Sequence, residues 1–186
     1  MKLVVSPTRS IVKNLFTIFL TLFLGMTAIT PSTQAQAQIQ GSGKLNGGVF
    51  PIGPDPKMTP GSLCDSPAVH RYPEGIAYCD RNVDSATKKQ IILDYDQNLG
   101  FNIHAMNRGE FKIDHYIPLC AGGSNHVDNL WPQHRSVFEV TDPLEQQVCI
   151  KMSEGHLKQA DAILMIREGK ANLSKVESLL STLESM

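Results

Sequence analysis

The sequence predicts a small α+β domain, and three observations carry that expectation. A segment that alternates apolar with polar residues, 111–117, is followed by a turn-rich loop and a short apolar piece. Amphipathic helical spacing stands before and after this unit. Four cysteines, Cys64, Cys79, Cys120 and Cys149, lie in a chain whose first residues carry an export pattern.

That pattern comes first along the chain. Lys2, Arg9 and Lys13 precede the uncharged apolar run 15–29, and Ala35 and Ala37 fit a small-residue cleavage site, so residues 1–37 read as a signal peptide cut after Ala37. The run falls short of the roughly 20 residues that span a bilayer, which argues against a retained anchor. Cleavage removes three positive charges and no acid, taking the formal charge from −1 to −4. A mildly acidic product counts against a protein that coats nucleic acid through net charge, though not against an enzyme with a locally basic cleft. The expected localisation is secreted or periplasmic, without membrane attachment.

Residues 38–62 are rich in Gly, Pro and Ser and read as a flexible leader. The folded domain is expected over 63–186. Export makes disulfides the default use of an even cysteine count. Of the three pairings, closure of short loops favours Cys64 with Cys79 and Cys120 with Cys149. A four-cysteine zinc site is the rival, and it lacks the close spacing of a zinc knuckle.

Asp84 and Ser85 offer N-cap oxygens to a helix over 86–99, in which Ile91, Ile92, Tyr95 and Leu99 share a face and Gly100 supplies the stop. The alternating segment 111–117 predicts a half-buried strand ended by Pro118. Ala121-Gly122-Gly123-Ser124-Asn125 predicts a loop, and Leu130-Trp131 before Pro132 a short second strand. Asp142 before Pro143 resembles an N-cap and first helical position, which predicts a helix from there to about residue 152. Two further packing helices are expected near 157–168 and 173–183.

The chemistry concentrates in Ile113-Asp114-His115-Tyr116-Ile117-Pro118-Leu119, Gly122-Gly123-Ser124-Asn125 and Asp128-Asn129-Leu130-Trp131-Pro132-Gln133. Hydrolysis of a phosphodiester needs a base for water and positive charge against the phosphate. A neutral imidazole at His115 suits the first need, and a hard cation held by the Asp114 carboxylate suits the second. If the strand is regular, Asp114 and His115 point to opposite faces, unless the strand end twists enough to bring both around one ion.

This composite pattern resembles the HNH endonucleases, the His-Asn-His family of ββα-metal nucleases, in their secreted bacterial form. The resemblance implies a ββα-metal core with additional packing helices and metal-dependent cleavage of DNA, and of RNA as a further substrate. In that reading His115 is the catalytic base, and Asn129, fourteen positions on, holds the loop that orients it. Asp114 is the first metal ligand, with Mg²⁺ the expected cofactor ahead of Mn²⁺ and Zn²⁺. No obligate protein partner is implied.

The sequence departs from the pattern at the next ligand. Nine positions after Asn129, where the compact motif supplies it, stands Phe138. An inserted stretch, 134–141, would delay the helix and make Glu145 the second ligand, with Cys149 one turn further on the same face. His134 is the alternative. Arg135, Arg108 and Lys112 are the candidate contacts to phosphate, while His70, His104, His126 and His156 stand outside the pattern. The missing ligand also motivates a second reading, a module of the same fold that binds nucleic acid or envelope components without catalysis.

Overall fold

The structure, a computed structural model, describes residues 42–45 and 48–186. The signal peptide expected at 1–37 lies outside them. The architecture is α+β. Its elements in chain order are β1 (Ser42–Leu45), β2 (Gly48–Pro51), β3 (Val69–Arg71), β4 (Ile76–Tyr78), α1 (Ser85–Leu99), β5 (Phe111–His115), β6 (Leu130–His134), α2 (Arg135–Ser153), α3 (Gln159–Ala171) and α4 (Val176–Glu184). The strands pair as three separate antiparallel hairpins, β1 with β2, β3 with β4 and β5 with β6. Among the described residues, no helix is long and apolar enough to cross a membrane.

The hairpin of β5 and β6 is the organising unit. Its register sets Phe111 opposite His134 at one end and His115 opposite Leu130 at the other. Because side chains alternate along a strand, Phe111, Ile113 and Leu130 share one face and Lys112, Asp114 and Gln133 the other. The first face packs into a core with Phe50, Ile91 and Tyr95. On the second, the Gln133 amide donates to Thr141 Oγ1 of α2 at 2.8 Å. A second core joins the three C-terminal helices through Leu144, Val148, Met152, Ala162, Ile166 and Leu183.

Helix α1 follows its sequence signals. Asp84 Oδ1 accepts from the Thr87 N–H at 2.7 Å, and Gly100 closes the helix in the left-handed region at φ 73°. The start of α2 differs from expectation. Residues 134–141 are not an insertion, for the helix begins directly after β6 and carries Pro143 inside it. His134 is the N-cap, its Nδ1 accepting from the Ser136 N–H at 3.1 Å. Val137, Thr141, Leu144, Val148 and Met152 then form one continuous buried stripe, whose burial outweighs the backbone hydrogen bond that Pro143 removes.

The expected leader is corrected as well. In its described part, β2 buries Phe50, and the Asn102 N–H donates to the Val49 carbonyl at 3.1 Å. Thr59 is fully buried, sharing a 2.7 Å hydrogen bond with the Tyr95 hydroxyl and donating to the Leu130 carbonyl. Gly and Pro density concealed a strap held by a few apolar and hydroxyl side chains. Both short-loop disulfides are present, Cys64–Cys79 and Cys120–Cys149. The second ties the loop after β5 to α2, so Cys149 is not a metal ligand.

His134 also stacks on Phe50, with ring centroids 4.1 Å apart. Replacing His134 by alanine removes the cap and the stack. Thermal unfolding should register a loss of about 1–2 kcal/mol, typical of a lost N-cap with some packing.

Candidate functional site

The loop between β5 and β6 is shaped by Asn129. Its Oδ1 accepts from the Ile117 N–H at 2.8 Å, while its Nδ2 donates to the carbonyls of Ile117 at 3.0 Å and Ser124 at 2.8 Å. Gly123 makes the closeness feasible, since a Cβ there would stand 1.8 Å from the Ile117 carbonyl oxygen. The strap contributes too: the Ser124 N–H donates to the Ser62 carbonyl, and the Cys64 N–H to the Gly122 carbonyl. Asn129→Ala leaves buried backbone groups of Ile117 and Ser124 unpaired. Denaturant titration should show a loss of about 2–3 kcal/mol, the usual penalty for orphaned buried groups.

His115 ends β5 and is 3 % exposed. Its partners assign the tautomer. Asn125 Nδ2 donates to the Asp80 carbonyl at 2.8 Å, which leaves Oδ1 to accept from the Asn82 N–H and from His115 Nε2, 3.1 Å away. Nε2 therefore carries the proton, and Nδ1 keeps its lone pair. Nδ1 faces the guanidinium of Arg81 at 3.4 Å, while Arg81 Nη2 donates to the Ile113 carbonyl at 2.8 Å. Burial pushes the imidazole down to about 4, against the Asn125 hydrogen bond and with the Arg81 cation assisting, so His115 is neutral at neutral pH.

Asp114 points the other way, as regular alternation requires. Carboxylate oxygens of Asp114, Asp142 and Glu145 lie within 4.8 Å of one another. Two ammonium groups stand among them. Lys170 Nζ of α3 is 2.5 Å from Glu145 Oε1, 3.3 Å from Asp114 Oδ2 and 2.5 Å from the His115 carbonyl oxygen. Lys112 Nζ is 2.6 Å from Asp142 Oδ1 and 3.6 Å from Asp114 Oδ2, and lies 4.9 Å from the centre of the Phe138 ring.

Burial alone would raise the Asp114 carboxyl, but Lys170 and Lys112 outweigh it and hold Asp114 below the usual carboxylate range. For Lys170, burial is outweighed by Glu145 and Asp114, which keep it protonated. Burial pushes Glu145 up to about 7, with Asp114 adding to the rise and Lys170 opposing it. Asp114–Lys170 is thus the permanent ion pair, and Glu145 is the carboxylate that takes up a proton near neutrality.

By type and spacing the three carboxylates suit a hard divalent ion. The space between them is already filled, however, because the ammonium of Lys170 occupies the position where such an ion would meet Asp114 and Glu145. As arranged, the residues do not fit a metal.

Of the residues expected from the sequence, Asp114, Glu145 and Lys112 come together, and His115 and Asn129 share the adjacent loop. His134, Arg135 and Arg108 do not join them. They stand at the far end of the hairpin, about 13 Å away for four residues of strand. There Arg135 pairs with Glu110 at 3.2 Å, and Arg108 donates to the Phe111 carbonyl. The cationic group beside His115 is instead Arg81, which sequence reasoning missed, along with Asp142, Lys170 and the role of Asn125. Lys170 did carry a signal, standing four positions after Ile166 and eight after Ala162 on a buried helical stripe. Arg81 carried none.

No protein-family model, curated protein or solved structure matches this chain.

Proposed function

We propose that this chain is an exported nuclease of the HNH type, hydrolysing phosphodiester bonds in DNA and also in RNA, with β5, β6 and α2 as its ββα core. The observation that carries this reading is the pairing of a neutral imidazole, whose Nδ1 lone pair faces the guanidinium of Arg81, with that exposed guanidinium at a strand end held by Asn129. A base that is unprotonated at working pH and a cation beside it are what water attack on a phosphate diester requires.

In this reading Arg81 leaves the Ile113 carbonyl and His115 Nδ1 to bind the scissile phosphate, which frees the Nδ1 lone pair. His115 Nδ1 takes a proton from water, the hydroxide oxygen bonds to phosphorus, and the P–O bond to the departing sugar oxygen breaks. That oxygen is protonated from solvent. Asn125 holds Nε2–H so that Nδ1 faces the substrate, and Asn129 keeps the loop in register. No step runs through a divalent ion, since Lys170 fills the carboxylate cluster. The two disulfides support an oxidising, extracytoplasmic destination.

A second reading, a non-catalytic module binding nucleic acid or envelope components, is favoured by the burial of His115. Nicking of supercoiled plasmid by the wild-type chain and by His115→Ala, each with EDTA and with Mg²⁺, separates the two. Nicking that the variant loses supports the nuclease. Equal nicking by both, or none by either, removes it.

A further inference from the structure

We propose that Lys170 is the chain's own cation, with an ammonium on α3 taking the position among Asp114 and Glu145 that a divalent ion would need. Lys170 Nζ donates to Asp114 Oδ2 and to the His115 carbonyl oxygen, and it stands 2.5 Å from Glu145 Oε1 as an ion pair. The side chain has no exposure to solvent.

A lysine is rarely so deeply buried unless its charge is matched, and here two carboxylates match it. Its carrier helix is built to bring it in. Gly169 lets α3 approach α2 closely, since a Cβ there would stand 2.3 Å from Leu144 Cδ2. The neighbouring carboxylate is occupied in the same manner, because Lys112 neutralises Asp142 and lies over the ring of Phe138.

The consequence is a cluster that looks like a metal site in its carboxylates and is closed to metal. Mg²⁺ prefers six oxygens at about 2.0–2.1 Å and keeps several waters, whereas this cluster offers its oxygens to the nitrogens of Lys170 and Lys112. Lys170 also grips the backbone of His115, so the fixed charge holds the strand end that carries the imidazole. This inference goes beyond the nuclease reading and does not depend on it.

The test is calorimetric titration of Mn²⁺ into the full chain, with thermal unfolding in parallel, so that no activity is needed. Wild type should show no saturable binding and no rise in Tm with Mn²⁺. Lys170→Ala and Lys170→Gln should each gain saturable binding and a Tm that climbs with Mn²⁺ concentration, both lost again on adding Glu145→Gln. The proposal is overturned if wild type binds Mn²⁺ in a manner that Glu145→Gln abolishes, or if the folded Lys170 variants bind no better than wild type. Should both variants fail to fold, the wild-type titration decides: binding dependent on Glu145 overturns the proposal, and its absence supports it.

Discussion

Lys170→Met should lower the stability of the chain by about 3–5 kcal/mol near pH 8, the cost of leaving a buried partner charge uncompensated. For a domain of this size that is a fall in Tm on the order of 10 °C. The methionine fills the volume of the lysine stem, so the loss is electrostatic rather than a cavity effect. Its pH dependence has a definite sign. Glu145 is already raised to about 7 with Lys170 present, and removing the ammonium raises it further. A carboxyl whose folded pKa lies above its unfolded value contributes stability at low pH and loses it as pH rises through the folded pKa. The gap between wild type and variant should therefore be wide at pH 8 and narrower at pH 5, where Glu145 is protonated. Chemical denaturation of both chains at the two pH values checks this, and an equal gap would show that the ion pairs contribute nothing specific.

The second large effect concerns rate. His115→Ala should reduce plasmid nicking by roughly 10²–10⁴-fold, the usual contribution of a general base. Stability should change much less than rate, because the imidazole makes one good side-chain hydrogen bond, to Asn125, and a longer contact to Arg81. His115→Gln retains a donor toward Asn125 and supplies no base. It should fold like wild type and be as inactive as the alanine variant, which separates chemistry from positioning.

The parts of the molecule that were legible in the sequence are those whose signals are local. Asp84 and Gly100 mark the ends of α1, the alternation of 111–115 marks β5, and the spacing from His115 to Asn129 marks the loop that Asn129 holds. The beginning of α2 was obscured because Asp142-Pro143 imitates a helix start, although the stripe from Val137 to Met152 was present throughout. The strap at 48–62 was hidden because Phe50 and Thr59 are buried side chains in a stretch whose composition otherwise favours disorder, and other attachments run through backbone groups such as the Val49 and Ser62 carbonyls.

At the site, the sequence pointed to Asp114 and His115 but not to what each would face. The answer depends on residues remote in the chain: Lys170 is 56 positions from Asp114, and Arg81 is 34 from His115. No spacing rule reaches that far. The resemblance supplied a metal for Asp114, whereas the fold supplies an ammonium. It supplied Arg135 and Arg108 as phosphate contacts, whereas the register of the hairpin carries both to its opposite end.

The central claim is that His115 is a base held neutral beside Arg81, and the pH–rate profile of plasmid nicking between pH 4 and pH 8 tests it most directly. With the imidazole pushed down to about 4, activity should be level from pH 8 to about pH 5.5 and fall only as pH approaches 4, with His115→Ala inactive throughout. An acid limb centred near pH 6.5, that of an ordinary histidine, or a profile that His115→Ala leaves unchanged, would contradict it.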